Sequence, residues 1–466
     1  MTVLVTGGSG IVGRSLISRL LNRGETVIGL CRNPKEKDRA SLRWVAGDVS
    51  KERLGLEKEL WERISSETDT IFHLAARTDF KGKSLEEYSA VNIEGVRHIK
   101  QLALKSNAWL HHVSTAFVCG DWTGEFGEHQ VQQDKRFHNF YEESKALGEA
   151  VLREEPTPDY TIYRPSIILE RNPTAASTSV FGPLVFLDGV FRICLGSVKR
   201  NLEMATIRVA GNGDARLPFV FDDEVAAVLA DLSLNHAEHK KTYHLVPRDS
   251  LKNTILEQVF NQAFSRKAVV WVADDVLAEE ELTTSERILA KKTRMYRPYL
   301  NLDTVFLRRN LEDALGDDVL PPITEEALLA TFSAFLASKK ELKKVVSYDE
   351  KFHLDTYFNH FLTKHSGKPL IKNLSSLSAS FHVEIKGYAT WQINITNGVL
   401  TAVEQGSHGD FGYSTDGKSF LKIASGKLSP QRGFFQGAVQ LENNPKEALR
   451  TATALEEFFH QYPYNP

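Results

Sequence analysis

The chain has 466 residues, 42% hydrophobic and 25% charged, a composition ordinary for a globular protein of roughly two to three domains. Its formal charge of −3 excludes a global electrostatic pull toward nucleic acid or an anionic membrane. No uninterrupted apolar run approaches the roughly 18 residues that read as a transmembrane helix. Cys31, Cys119 and Cys194 fall in no redox or metal-ligand spacing, so we expect a reducing, cytoplasmic setting and no bound metal.

The N-terminus itself reads as a first strand, Val3-Leu4-Val5, which leaves no room for a signal peptide. TGGSGIVG follows, Thr6 to Gly13, and runs into RSLISRLLNRG, where Ile11, Leu16, Leu20 and Leu21 recur at helical spacing. A strand that becomes a helix over glycines is a phosphate cradle. Gly7 allows the tight turn, Gly10 lets a pyrophosphate approach the backbone, and Gly13 lets the helix pack against the strand. Thr6, Ile11 and Val12 belong to the same cradle. Strand two, Thr26 to Leu30, leads to Cys31-Arg32-Asn33, where the adenosine ribose of a dinucleotide is read. No carboxylate stands there to bind a 2′-hydroxyl. Arg32, with Lys35 and Lys37 nearby, suits a 2′-phosphate, so NADPH is favoured over NADH.

Strand three, Leu42 to Ala46, ends at Gly47-Asp48-Val49, and Asp48 either accepts from an adenine amino group or caps the next turn. Strand four, Thr70 to Leu74, ends in Ala75-Ala76, small enough for a flat ring to lie on the backbone. Asn92 reads as a tie between strands. Strand five, Trp109 to Val113, delivers Ser114-Thr115 to the edge where open α/β sheets bind ligands. In the helix NFYEESKALGEA, Tyr141 and Lys145 are four apart and share a face. An ammonium beside a phenol favours the phenolate, Lys145 can also hold a ribose, and the Thr115 hydroxyl completes a donor pair for a carbonyl oxygen. His111 and His112 point apart on their strand. His236 and His239 could share a helix face, but no third ligand accompanies either pair.

At these residues the chain resembles the extended short-chain dehydrogenase/reductases. GDVSKERLGL, IFHLAARTDF, HHVSTAFVCG, FYEESKALGEA and YRPSII, in that order, are similar to the thioester reductase and fatty acyl-CoA reductase branch, as are FVFDDEVAAVLADL and TYHLVP. Ile11 departs from a position where that branch often carries an aromatic. The resemblance implies Thr115, Tyr141 and Lys145 as the catalytic set. It implies a cofactor site of Thr6, Gly7, Gly10, Ile11, Val12, Gly13, Arg32, Asp48, Val49, Ala75, Ala76, Tyr141, Lys145, Pro165 and Ser166.

After Pro165 the α/β rhythm breaks. Residues 170–200 are apolar with turn breakers, and within them Val180 to Leu195 could line an apolar pocket or touch a membrane surface; 250–345 read as helices of a substrate lobe. From Phe381 the period becomes two: FHVEI, then Trp391, Ile393 and Ile395, with a hairpin signal at Asn397-Gly398. WQINITNG and GYSTDGKSFLKIASGKLSPQRGFFQGAVQLENNPKEAL resemble the sterol-carrier-protein type-two domain, which encloses an apolar tunnel. Phe420, Leu421, Phe434, Phe435, Leu441 and Leu449 are the candidate walls, although the same side chains could fill a solid core.

The expected fold is therefore α/β: a Rossmann-type parallel sheet with helices on both faces and a helical substrate lobe, plus a small C-terminal α+β lipid-carrier-like domain. Boundaries fall at 1–363 for the reductase (nucleotide core about 1–165, lobe about 166–363), 364–378 for a linker and 379–466 for the carrier-like domain. The expected activity is NADPH-dependent reduction of a long acyl thioester, on coenzyme A or an acyl carrier protein, to aldehyde or alcohol. The rivals are an NADP-dependent sterol or lipid dehydrogenase and a lipid-transfer protein with an inactive reductase half.

Overall fold

The computed structural model describes residues 1–34, 38–131, 136–173, 182–200, 204–235, 240–273, 281–339, 349–406 and 409–464. Lys35, Lys37, His236 and His239 lie outside them. The chain forms two compact units. The first comprises Met1–Phe260 and Val269–Lys340; the second comprises Glu341–Pro466 with the short segment Asn261–Ala268.

The first unit is built on seven parallel strands: β1 Thr2–Thr6, β2 Thr26–Cys31, β3 Leu42–Ala46, β4 Thr70–His73, β5 Trp109–Val113, β6 Tyr160–Pro165 and β7 Thr242–Leu245. Their order is β7-β6-β5-β4-β1-β2-β3. The strand sequences are apolar on both alternating positions because both faces are covered. Val3 and Val5 project into one core with Leu16, Ile17 and Leu20 of α1 (Ile11–Asn22) and Val225 and Leu229 of α2 (Asp222–Leu232). Leu4, between them, projects into the opposite core with Ile99 and Leu102 of Glu94–Ser106 and Val151 and Leu152 of Phe140–Arg153. The chain moves outward from β1 to β3 and then returns to place β4 on the other side of β1. That reversal opens a crevice at the strands' C-terminal ends.

Residues 170–200 read as apolar with turn breakers; among their described residues, Pro183–Lys199 form a helix. Burial of Leu184, Leu187, Val190 and Phe191 outweighs the helix cost of Gly189, about 1 kcal/mol. The expected lobe helices are present as Asn253–Ala263, Thr284–Thr293 and Glu325–Ala337. No helix among the described residues is long and apolar enough to cross a membrane.

The second unit is a five-stranded sheet: β8 Ala379–Ile385, β9 Ala389–Thr396, β10 Val399–Gln405, β11 Phe411–Thr415 and β12 Val439–Glu442, in the order β10-β9-β8-β11-β12. Asn397 and Gly398, at φ of 50° and 75°, make the expected β9–β10 hairpin. The hairpin signal and α+β pattern imply antiparallel strands, and β8 does pair antiparallel with β9, but it pairs parallel with β11. The linker expected at 364–378 is instead part of this unit. Leu370, Ile371 and Leu374 are 3%, 6% and 4% exposed in its core, and just upstream Phe358 stacks on Trp391 at 4.7 Å. The polar composition of KHSGKPLIKNLSSLS concealed three apolar residues that each have a place in that core.

Candidate active site

The cradle forms where β1 meets α1. Gly7 sits at φ +69°, and a Cβ there would lie 2.7 Å from the Ala75 nitrogen. A Cβ on Gly13 would lie 2.4 Å from the Gly7 carbonyl oxygen, so the loop and the helix touch backbone to backbone. Gly10 has only that same oxygen nearby, at 3.2 Å, and otherwise faces a cavity of about 750 Å³. No side chain caps α1, and its first internal bond runs from Arg14 N to Gly10 O at 3.0 Å. The amides of Ile11, Val12 and Gly13 therefore remain free for an anion.

Every residue assigned to the cofactor lines this cavity except Thr6. The Thr6 hydroxyl lies 2.7 Å from His73 Nδ1 and accepts from Ala75 N at 3.2 Å. It fixes the Ala75-Ala76 turn and does not face a ligand. Arg32 is exposed at the cavity rim beside Asp48. Asp48 accepts from both the amide and the hydroxyl of Ser50, at 3.0 and 2.8 Å, so the turn-capping alternative is realised. Partial burial opposes its ionisation, but Ser50 and Arg32 together hold the carboxyl below its usual range. Ser166 Oγ is buried at the cavity wall with no partner among the described residues. A backbone cradle that a Cβ would fill, together with this orphaned hydroxyl, fits a bound dinucleotide.

Tyr141 and Lys145 lie one turn apart on the helix Phe140–Arg153, and Thr115 follows β5; all three meet in the cavity wall. Thr115 accepts from Phe117 N at 3.3 Å and hydrogen-bonds the Tyr141 phenol. Ser114, next in line, turns toward Glu149, as strand alternation expects. Lys145 Nζ donates to the Val113 carbonyl at 2.7 Å. Burial lowers its pKa to about 8, partly offset by Glu149. The expectation that this ammonium depresses the phenol is corrected: burial pushes Tyr141 up to about 12, against the Thr115 hydrogen bond, and the Glu142 charge adds to the rise. Lys145 is charged at neutral pH, but its ammonium is turned to the Val113 carbonyl and is not among the groups that act on the phenol.

Behind these groups Arg164, fully buried, makes paired bonds of 3.0 and 2.8 Å to Glu149. Asn92 bonds both the amide and the carbonyl of Arg77, at 2.8 and 3.0 Å, and the Ser144 hydroxyl at 2.8 Å; it therefore ties the β4 loop to the catalytic helix, not strand to strand as expected, because its own helix packs between those two segments. Sequence reasoning missed the aromatic cluster at the substrate side. Phe80 packs 5.6 Å from Tyr141, 5.3 Å from Tyr296 and 5.8 Å from Tyr299, and the Tyr299 hydroxyl donates to the buried Glu142. Tyr299 is 157 residues from Glu142, and a contact so distant leaves no local signature. Beyond these rings the cavity continues between Phe186, Leu217, Leu256, Phe260 and Trp271. His111 and His112 are both buried, the latter stacked on His73 at 5.4 Å.

The second unit contains a cavity of about 90 Å³ whose wall is almost wholly apolar. Phe420, Phe434, Leu441 and Leu449 line it as expected. Leu421 packs in the surrounding core, off the cavity wall. Phe435 is 78% exposed, because successive helical residues point about 100° apart and Phe434 takes the inward position.

A parallel sheet with a glycine cradle at its reversal point and a Thr–Tyr–Lys set beside it defines an extended short-chain dehydrogenase/reductase, an enzyme fold with a nicotinamide dinucleotide site. Residues 35–228 match the NAD-binding family described as male sterility protein, and 358–456 match the SCP-2 sterol transfer family. Two successive stretches of the chain thus resemble a male-sterility-type NAD-binding domain and an SCP-2 domain. It is 34% identical over 127 residues to equisetin synthetase of Fusarium heterosporum, covering 25% of this chain and 3% of that protein. It is 31% identical over 213 residues to 3-beta-hydroxysteroid dehydrogenase of Mycolicibacterium neoaurum, covering 43% of this chain and 56% of that one. The chain thus spans little more than half the length of one of these relatives and a small part of the other. Among solved structures, the terminal R domain of the myxalamid PKS-NRPS pathway superposes with a TM-score of 0.60 at 23% identity, covering 72% of this chain and 90% of that one, a likeness of fold.

Proposed function

We propose that the first unit is an NADPH-dependent reductase of a long apolar acyl thioester carried on coenzyme A or a carrier protein. The observation that carries this reading is a phenol held protonated, Tyr141, between a dinucleotide cradle and an apolar arm. A reduced nicotinamide, when bound, supplies hydride. Gly7, Gly10 and Gly13 seat its phosphates, Arg32 meets the 2′-phosphate, and Ser166 and Lys145 offer donors to the inner half. When a thioester carbonyl becomes tetrahedral, negative charge gathers on its oxygen. Tyr141, neutral until about pH 12, is poised to give that oxygen a proton, and Thr115 hydrogen-bonds the phenol that does so. Collapse of the hemithioacetal then releases thiol and aldehyde, and a second hydride gives alcohol. The rings of Phe80, Tyr296 and Tyr299 keep water from the reacting carbon.

The equisetin synthetase relative and the R-domain fold favour a carrier-bound substrate. NADPH oxidation with an acyl-CoA series tests the reading, with Tyr141→Phe as control, expected to lose about a thousandfold in kcat/KM. No oxidation with any chain length or carrier sinks it. The steroid dehydrogenase relative supports a second reading, oxidation or reduction of a sterol hydroxyl or ketone. Turnover of 3-hydroxy or 3-keto sterols with silent thioesters selects it. If neither turns over while lipid binding persists in both wild type and Tyr141→Phe, the chain is a lipid carrier.

A further inference from the structure

The stretch from Gly417 to Gly437 contains Lys418, Lys422, Lys427 and Arg432 and no Asp or Glu, four positive charges in a chain of net −3. It folds as two short helices, Gly417–Ala424 and Pro430–Phe435, joined by a turn in which Lys427 N and Leu428 N both bond the Lys422 carbonyl, at 2.9 and 3.1 Å. Its two faces differ completely. Phe420, Ile423, Pro430 and Phe434 line the apolar cavity. Outward, all four cations are exposed, and none makes an ion pair among the described residues. Of the carboxylates at the start of the first helix, Asp416 caps it through Ser419 N at 2.9 Å, and Glu350 lies against Gly417. Among them stands Phe435, 78% exposed, its ring 5.5 Å from that of Phe434 inside.

We propose that this face docks on an anionic lipid surface, and that apolar ligands enter and leave the C-terminal cavity across it. Unpaired cations and a protruding ring are what a headgroup layer accommodates: the phenyl reaches the acyl boundary while lysine stems snorkel around it. A folded acidic partner fits less well. A stable protein interface needs about 800 Å² per side around a buried apolar centre, and one ring on a charged face does not supply it. Docking here places the bilayer against the segment that forms the cavity wall, so a lipid tail passes from one apolar medium to another. The inference is independent of the chemistry assigned to the first unit.

Flotation of the full chain with phosphatidylcholine vesicles, with and without phosphatidylserine, at low and high salt, tests it. The wild type should float with the anionic vesicles alone and be released by salt. At about fivefold per cation, Lys422→Gln with Lys427→Gln should lower the partition about 25-fold. Phe435→Ser should lower it about tenfold while leaving the thermal melt unchanged. Equal flotation with both vesicles, none with either, or variants that float like the wild type overturn the proposal. So does a dimer that Phe435→Ser abolishes, because the face would then serve self-association.

Discussion

The two cavities make different demands on sequence. The cleft of the first unit must present free amides, a phenol, an ammonium and a hydroxyl at fixed places, and each demand selects a residue type at a spacing. The cavity of the second unit asks only that its wall be apolar. Phe434 and Phe435, identical and adjacent, have opposite fates there: one lines the cavity and the other is 78% exposed. At Gly7 and Gly13, by contrast, even a methyl group would meet backbone at 2.7 and 2.4 Å. Directed polar chemistry leaves a pattern in the chain, whereas an enclosed apolar volume is a property of packing that the pattern does not contain.

The comparison breaks if damage to one cavity passes to the other. Gly13→Val forces side-chain carbons into the Gly7–Gly8 backbone, a strain of about 2 kcal/mol that the cradle must relieve by opening. Dinucleotide affinity, read by calorimetry, should fall about thirtyfold, with uptake of a fluorescent fatty acid by the second unit unchanged. Loss of both together would mean that the two cavities do not function separately. Arg32→Ser is gentler. It removes a charge-assisted contact to the 2′-phosphate worth about 1.5 kcal/mol, so the Kd for NADPH should rise about tenfold while that for NADH stays put. Equal changes for both nucleotides would show that Arg32 is a solvated rim residue.

The same contrast explains what the sequence could show. Five strands of the first sheet, β1 to β5, are legible as apolar runs, because both of their faces are buried, whereas β6 and β7 enter the sequence reading only within the resemblance motifs YRPSII and TYHLVP. Gly7 to Gly13, Thr115, Tyr141 and Lys145 were legible as types at spacings, and the cavity brings them together. Thr6 was misread because a hydroxyl in the motif can equally support the loop, and only the His73 contact decides between these roles. The Tyr299–Glu142 bond and the aromatic ring around Phe80 depend on segments more than a hundred residues apart. The supposed linker hid Leu370, Ile371 and Leu374, whose burial depends on a sheet that lies downstream of them. The tuning of Tyr141 was the deepest miss. A four-residue spacing places an ammonium near a phenol, but burial, which spacing does not report, sets both groups' protonation.

That tuning yields the smallest effect and the sharpest one. Lys145, lowered by burial to about 8, is charged below that pH and neutral above it. If its charge holds the ribose and supports the oxyanion, kcat/KM should fall above pH 8 with a single ionisation, well before Tyr141 titrates at about 12. Unfolding gives the opposite sign for this group. Its folded pKa lies below the ordinary lysine value of 10.5, so between pH 8 and 10.5 the unfolded chain binds more protons, and the lysine's contribution to stability grows as pH rises. Activity lost at pH 9 with the thermal melt held or raised therefore reports the ammonium itself. Lys145→Arg keeps a cation at every accessible pH. It should cost severalfold in rate at pH 7 through its bulk while abolishing the decline between pH 8 and 10. A decline that persists in the arginine variant assigns the titration to another group and leaves Lys145 a structural tie to Val113.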